Sequence, residues 1–276
     1  GCIMIRDITI GQYYPADSVI HRLDPRVKLA GTIIFIVSLF LFSSFTGYIL
    51  VALFLGTVIK LSKVPFKFII KGLKAVFILL LFTVVFNMFL TPGKELIHLF
   101  GNVRITEEGL RTAIFMGIRL VLLIIGSSVL TLTTSPNQLT DGMEKGLSVF
   151  RKVGLPVHEI AMMMSIALRF IPILLEETDK IMKAQSARGA DFESGGFIKK
   201  AKALIPILVP LFVSAFRRAI DLAMAMEARC YHGGEGRTKM KPLKYKRRDG
   251  VAYITCFAYV GLIIVVNILA NKYIGV

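Results

Sequence analysis

The sequence predicts an all-α membrane protein with about five transmembrane helices plus two or three long amphipathic helices on the cytoplasmic side. Three observations carry that prediction. Mean hydropathy is +0.68 and 55% of the 276 residues are hydrophobic, above the usual apolar share of a soluble domain. The apolar residues gather into long runs free of charge, which is the signature of membrane spans. The formal net charge of +16 is concentrated between alternate runs, as expected for basic residues held on one membrane face.

Leu29 to Ile59 contains no charged residue. That stretch is too long for one straight span and slightly short for two at about 20 residues each. The break Ser43-Ser44-Phe45-Thr46-Gly47 divides it into a tight hairpin. Asp24-Pro25 starts the first helix, with Asp at the N-cap and Pro at the first helical position. A basic link (Lys60, Lys63, Lys67, Lys71, Lys74) feeds a third span from Phe66 to Leu90, which Thr91-Pro92-Gly93 stops. Residues 94–110 form a mixed-charge loop, a fourth span runs from Thr112 to Thr133, and the last from Val251 to Ala270. Arg119, the lone charge in the fourth span, is expected to snorkel outward.

Placing the N-terminus in the cytoplasm puts all 34 Lys and Arg on the inner side except Lys94, Arg104, Arg111, Arg119 and Lys272. The positive-inside rule then gives a multi-pass chain with its C-terminus outside. This divides the chain into 1–133, a membrane region with four spans; 134–250, a cytoplasmic coupling-helix region; and 251–276, the final transmembrane helix.

Region 134–250 is apolar in patches yet crossed by charge at helical spacing. A short helix is expected over Ser135–Arg151, a long one from Leu155-Pro156 to Arg188, and another from Phe197 to Tyr231 with bends at Pro206 and Pro210. In the long helix, Ile160, Met163, Met164, Ala167, Phe170, Ile171, Leu174 and Leu175 recur every three or four residues beside Arg169, Glu176, Glu177 and Asp179. Such helices fit a position against the membrane face; the competing topology makes Ile160–Leu175 and Ala203–Ala215 extra spans.

Several chemistries are missing from the sequence. No G-x-x-x-x-G-K-[ST] phosphate loop is present, so ATP hydrolysis by this chain is not expected. His158-Glu159 lacks the second His of a metalloprotease helix, and Cys2, Cys230 and Cys256 are scattered, so no metal site, cofactor or disulfide framework is predicted. The expected spans carry no Asp or Glu at their centres, against a self-sufficient ion-coupled pump. The run Arg237, Lys239, Lys241, Lys244, Lys246, Arg247, Arg248 suits anionic lipid headgroups, and its sparse aromatics disfavour nucleic acid.

Two cassettes remain, Ala187-Arg188-Gly189 and Ala228-Arg229-Cys230, each an arginine between small residues near a helix C-terminus. A guanidinium with small neighbours is open to close approach and to bidentate pairing, so the two suit docking on two similar partner sites. The plainer alternative is a cation placed where the helix dipole favours it.

The ordered set Gly11-Gln12-Tyr13, Ser18, His21-Arg22-Leu23-Asp24-Pro25-Arg26, Lys28, then Leu168-Arg169-Phe170-Ile171-Pro172, then the two cassettes, resembles the transmembrane scaffold (T) component of energy-coupling factor (ECF) transporters, the CbiQ/EcfT-like family. The resemblance covers residues 9–270. It departs at Cys230, where glycine is common in that family. The opening looks more like the shared energising modules than the dedicated cobalt or nickel versions.

The resemblance implies a non-catalytic subunit of an ABC importer in the cell membrane of a prokaryote. Arg188 would engage one subunit of an ABC-type ATPase pair and Arg229 the other. A separate membrane-embedded substrate-binding (S) component would take up the vitamin or micronutrient. The alternative from another class is a stand-alone permease or channel lined by Asn87, Ser127, Ser128 and Asn267; a lipid-modifying membrane enzyme lacks a catalytic cluster.

Overall fold

The computed structural model describes residues 13–42, 44–91, 95–98, 104–146, 156–190, 192, 196, 198, 202–233 and 243–274. Gly11-Gln12, the helix ends expected at Arg151 and Phe197, and the basic residues Arg237, Lys239 and Lys241 lie outside them. The chain divides into two compact units, Gly11–Gly142 with Leu243–Val276, and one built on Met143–Pro242.

The first unit contains α1 (Pro25–Ser38), α2 (Phe45–Ser62), α3 (Phe66–Leu90), strands β1 (Glu95–His98) and β2 (Arg104–Thr106), and α4 (Glu107–Thr133). α5 (Pro136–Gly146) leads out of it. The second contains α6 (Val157–Ala187) and α7 (Ile205–Glu227), and α8 (Arg247–Ile274) returns to the first.

Local chemistry accounts for most element ends. Asp24 is the N-cap of α1, its carboxylate accepting from Arg26 N at 3.0 Å, with Pro25 following. Thr106 caps α4 by accepting from Gly109 N at 3.1 Å, and Glu107 and Glu108 fill the first turn where the helix dipole favours acids. The expected mixed-charge loop carries an antiparallel hairpin, Glu95 opposite Thr106 and His98 opposite Arg104. Pro206 lies in the first turn of α7, where proline is tolerated, so it opens the helix rather than bending it. Pro210 and Pro172 are inside their helices.

The core of the first unit is a cluster of Phe35, Leu39, Phe42, Tyr48, Val51, Leu55, Leu122, Tyr259 and Ile263, drawn from α1, α2, α4, α8 and the α1–α2 turn. Close packing depends on Gly126, where a Cβ would lie 2.3 Å from the Phe35 ring; small residues at such crossings suit association in lipid. Phe54 stacks on Tyr259 at 4.0 Å, and the Tyr259 hydroxyl meets Ser38 Oγ at 2.9 Å. The outer faces are apolar instead of polar: Ile78 is 81% exposed and Ile254 70%. This inside-out pattern is that of a chain solvated by lipid.

Among the described residues, four helices are long and apolar enough to cross a membrane: α2, α4, α6 and α8. α3 makes a fifth if its parts Phe66–Lys74 and Val76–Phe89, bent by 59°, form one span. The number agrees with expectation, but the membership differs. α1, expected as the first span, has 14 residues, about 21 Å against a hydrocarbon core of about 30 Å. α6, expected on the membrane face, passes the same test of length and composition.

Arg119 does not snorkel. Its Nε donates to Tyr48 Oη at 3.1 Å, a terminal nitrogen donates to Phe42 O at 3.3 Å, and the guanidinium lies 5.3 Å from the Phe40 ring centroid. It ties the α1–α2 turn to α4.

Candidate functional site

α6 and α7 pack antiparallel. Tyr231 Oη donates to Met162 Sδ at 3.1 Å, Arg218 pairs with Glu177 at 2.9 Å, and Gln185 Nε2 donates to Pro206 O at 3.3 Å. This direction of packing sends the two cassettes to opposite ends of the pair, separated by about 40 Å at 1.5 Å per residue.

The cassettes have one backbone design. After α6, Gly189 N donates to Ser186 O at 3.0 Å and Ala190 N to Gln185 O at 3.0 Å. After α7, Cys230 N donates to Glu227 O at 2.8 Å and Tyr231 N to Met226 O at 3.1 Å. Both are Schellman motifs, with Arg188 and Arg229 in the same cap position and a left-handed residue next, Gly189 at φ 87° and Cys230 at φ 55°. The carbonyls of Gln185 and Ser186, and of Met226 and Glu227, which a C-terminal cation could cap, are thus already satisfied by the chain. Ala187, Arg188, Gly189, Ala228, Arg229 and Cys230 are all exposed. Among the described residues, no ion pair or side-chain hydrogen bond engages either guanidinium.

Gly189 has open space around its Cα, so conformation alone requires glycine there. Cys230 adopts the same conformation with a side chain, at a cost of about 1 kcal/mol. Cys230→Gly is therefore expected to stabilise the folded chain by about 0.5–1 kcal/mol, and Gly189→Ala to destabilise it by about 1 kcal/mol. Thermal unfolding in detergent reads both.

The apolar stripe predicted on α6 is exposed at Ile160, Met163, Met164 and Ile171. α7 carries a longer one that sequence reasoning did not single out. Leu208, Val209, Phe212, Val213, Phe216, Ile220 and Met224 are all exposed, at spacings of three and four that were legible in the sequence.

The opening motif forms a polar lock in the first unit. Tyr14 N donates to Leu132 O at 2.9 Å and Lys28 Nζ to Thr133 O at 2.8 Å, which satisfies carbonyls at the end of α4. Lys28 Nζ also donates to His21 O at 3.1 Å. The His21 ring meets Tyr14 O at 2.9 Å through Nε2 and Ser18 Oγ at 2.7 Å through Nδ1. Because a carbonyl only accepts, Nε2 carries the proton and the serine donates. Burial keeps this imidazole below the usual histidine range, so it is neutral at pH 7.

Asp249 holds the other side of the lock. It accepts from the buried Asp24 N at 2.9 Å and from Lys246 N at 2.7 Å, the second contact being the acidic half of a capping box for α8. Arg26 adds a bond to Leu243 O at 3.2 Å and lies 4.8 Å from the Tyr245 ring centroid.

Three of the four polar residues considered as a channel lining, Asn87, Ser127 and Asn267, are turned to the backbone. Asn87 Nδ2 donates to Thr83 O at 2.8 Å, Ser127 Oγ to Leu123 O at 2.9 Å, and Asn267 Nδ2 to Leu41 O at 3.2 Å. Among the described residues, no cluster of His, Cys, Asp or Glu is placed to hold a metal ion.

The pattern of the CbiQ family, described as a cobalt transport protein, matches residues 16–240. The energy-coupling factor transporter transmembrane protein EcfT of Clostridium kluyveri is 58% identical over 270 residues, 98% of this chain and 100% of that protein. The chain belongs to this family. EcfT of Thermosediminibacter oceani is 54% identical over 267 residues, covering 97% and 99% of the two chains. EcfT of Bacillus subtilis is 48% identical over 260 residues, covering 94% and 98%. As a family member the chain is a multi-pass transmembrane component of an energy-coupling factor transporter, and both cassettes fall within the matched residues.

Proposed function

We propose that this chain is the non-catalytic scaffold that couples ATP hydrolysis by a separate pair of ABC-type ATPases to uptake by a separate membrane-embedded substrate-binding component. The substrate class is a vitamin or micronutrient. Arg188 docks on one ATPase and Arg229 on the other. The observation that carries this reading is the duplicated cap. One backbone motif presents an exposed arginine, with no partner among the described residues, at each end of an antiparallel helix pair, which suits a partner with two equivalent sockets.

ATP binding brings the two ATPases together and moves the two docked ends relative to one another. α6 and α7 pass that movement along their length to their exposed apolar stripes. Those stripes suit the apolar flank of the substrate-binding component, which is displaced or tilted as the helices shift. The arginines transmit force and make no bonds with substrate. The division of charge along the sequence supports a prokaryotic cell-membrane location with the N-terminus and the basic segments of 134–250 on the cytoplasmic face and the final span ending outside.

The purified chain in vesicles is expected to show neither ATP hydrolysis nor solute flux, and to gain ATP-driven uptake only with an ATPase pair and a substrate-binding component added. Hydrolysis or flux by the chain alone would favour the permease or enzyme alternatives. Co-purification from the native membrane should bring down both partner classes.

A further inference from the structure

Beside the polar lock, the first unit encloses an apolar cavity of about 350 Å³ between α1, α2, α4 and α8. That volume is within the range of small-molecule sites. Phe35 and Phe54 line it, and Phe54 stacks on Tyr259 where α2 meets α8. Leu61 of α2 and Val251 of α8 also line it and are exposed, at 47% and 62%.

Only two charged side chains line the cavity, Lys28 and Arg248, and both are cations. Arg248 Nε is buried without a hydrogen-bond partner. Lys28 is 7% exposed and spends two of its three donors on the carbonyls of His21 and Thr133. Among the described residues neither cation has a carboxylate partner. Lys28 is buried and Arg248 half-buried, and two cations lining one apolar cavity repel unless an anion joins them.

We infer that this cavity binds one acyl chain of an anionic phospholipid, with the lipid phosphate held by Arg248 and Lys28. An apolar cavity lined in part by exposed residues of α2 and α8 fits a lipid tail better than any water-soluble anion. The unpartnered guanidinium supplies the donors that a phosphate accepts. Basic pockets between transmembrane helices hold anionic headgroups by the same means. The bound lipid would bridge α1, α2 and α8 at the position where the lock fixes the start of α1.

Native mass spectrometry tests this on the full chain, loaded from vesicles of dioleoyl-phosphatidylglycerol or dioleoyl-phosphatidylcholine and released from detergent. One phosphatidylglycerol per chain should be retained, about fivefold or more in preference to phosphatidylcholine. Arg248→Gln should cut retention about fivefold, whereas Arg247→Gln, next in sequence but outside the cavity lining, should leave it unchanged. Ala252→Leu keeps both cations and fills part of the apolar cavity, so it should also lower retention, and it supplies a second test if Arg248→Gln folds poorly. Equal retention of the two lipids, equal loss in the Arg247→Gln and Arg248→Gln variants, full retention by Ala252→Leu, or displacement of the lipid by millimolar inorganic phosphate would overturn the inference.

Discussion

Exchanging both cassette arginines, Arg188→Ala with Arg229→Ala, is expected to abolish ATP-driven uptake while the amount of membrane-inserted chain stays unchanged. Each guanidinium is exposed, and its removal breaks no ion pair or side-chain hydrogen bond among the described residues. In the docked complex each would be one half of a charge-assisted pair. Truncating one half of such a pair costs about 2–5 kcal/mol, so each single exchange should weaken ATPase docking about thirtyfold or more. Arg→Lys at either position keeps the charge and loses the planar fork, and should restore docking only in part. A capping role predicts something different: a loss of about 0.3–1 kcal/mol in folding stability, equal rescue by lysine, and normal ATPase recovery. Uptake assays, ATPase co-purification and unfolding temperatures, taken together on the same variants, separate the two.

Asp249→Ala is expected to produce the largest loss of stability of any single exchange in the lock. Its carboxylate accepts from the backbone N–H groups of Asp24 and Lys246, and Asp249 itself is 2% exposed. Removing it strands a buried donor at the entry to α1 and takes away the cap at the start of α8. The stranded donor costs about 1–3 kcal/mol and the lost cap about 1 kcal/mol, for a combined loss of about 2–4 kcal/mol and a fall of several degrees in the unfolding temperature. Asp249→Asn keeps one acceptor oxygen and should lose about half as much. An unchanged unfolding temperature in Asp249→Ala would show that the start of α1 is held by other contacts.

The parts of the fold legible in the sequence were those decided by near neighbours. Asp24-Pro25 starts α1 because the cap bond reaches only two residues ahead. Phe66 and Leu90 bound α3 because Pro65 and the Thr91-Pro92-Gly93 stop are adjacent. The cassettes sit at helix C-termini as their small residues suggest, although nothing in Ala-Arg-Cys announced that Cys230 would take the left-handed conformation of Gly189.

What was not legible depends on distant partners. Arg119 read as a snorkelling charge because Tyr48 and Phe42 lie more than seventy residues away in sequence. The opening motif was visible as a pattern, but its role in joining α4 to α8 rests on Thr133 and Asp249, far down the chain. The short α1 also escaped, since an apolar run shows where charge is absent and not where hydrogen bonding turns the backbone.

The central claim is that one motif, used twice, delivers two arginines to two ATPases. Placing a photo-crosslinking benzoylphenylalanine at position 188, at position 229, and at both, in the assembled transporter in native membranes, tests it most directly. The account predicts that each single position captures one ATPase subunit, and that the double variant yields a product of one chain with two. Capture of the substrate-binding component or lipid from both positions, with no ATPase adduct, would contradict it.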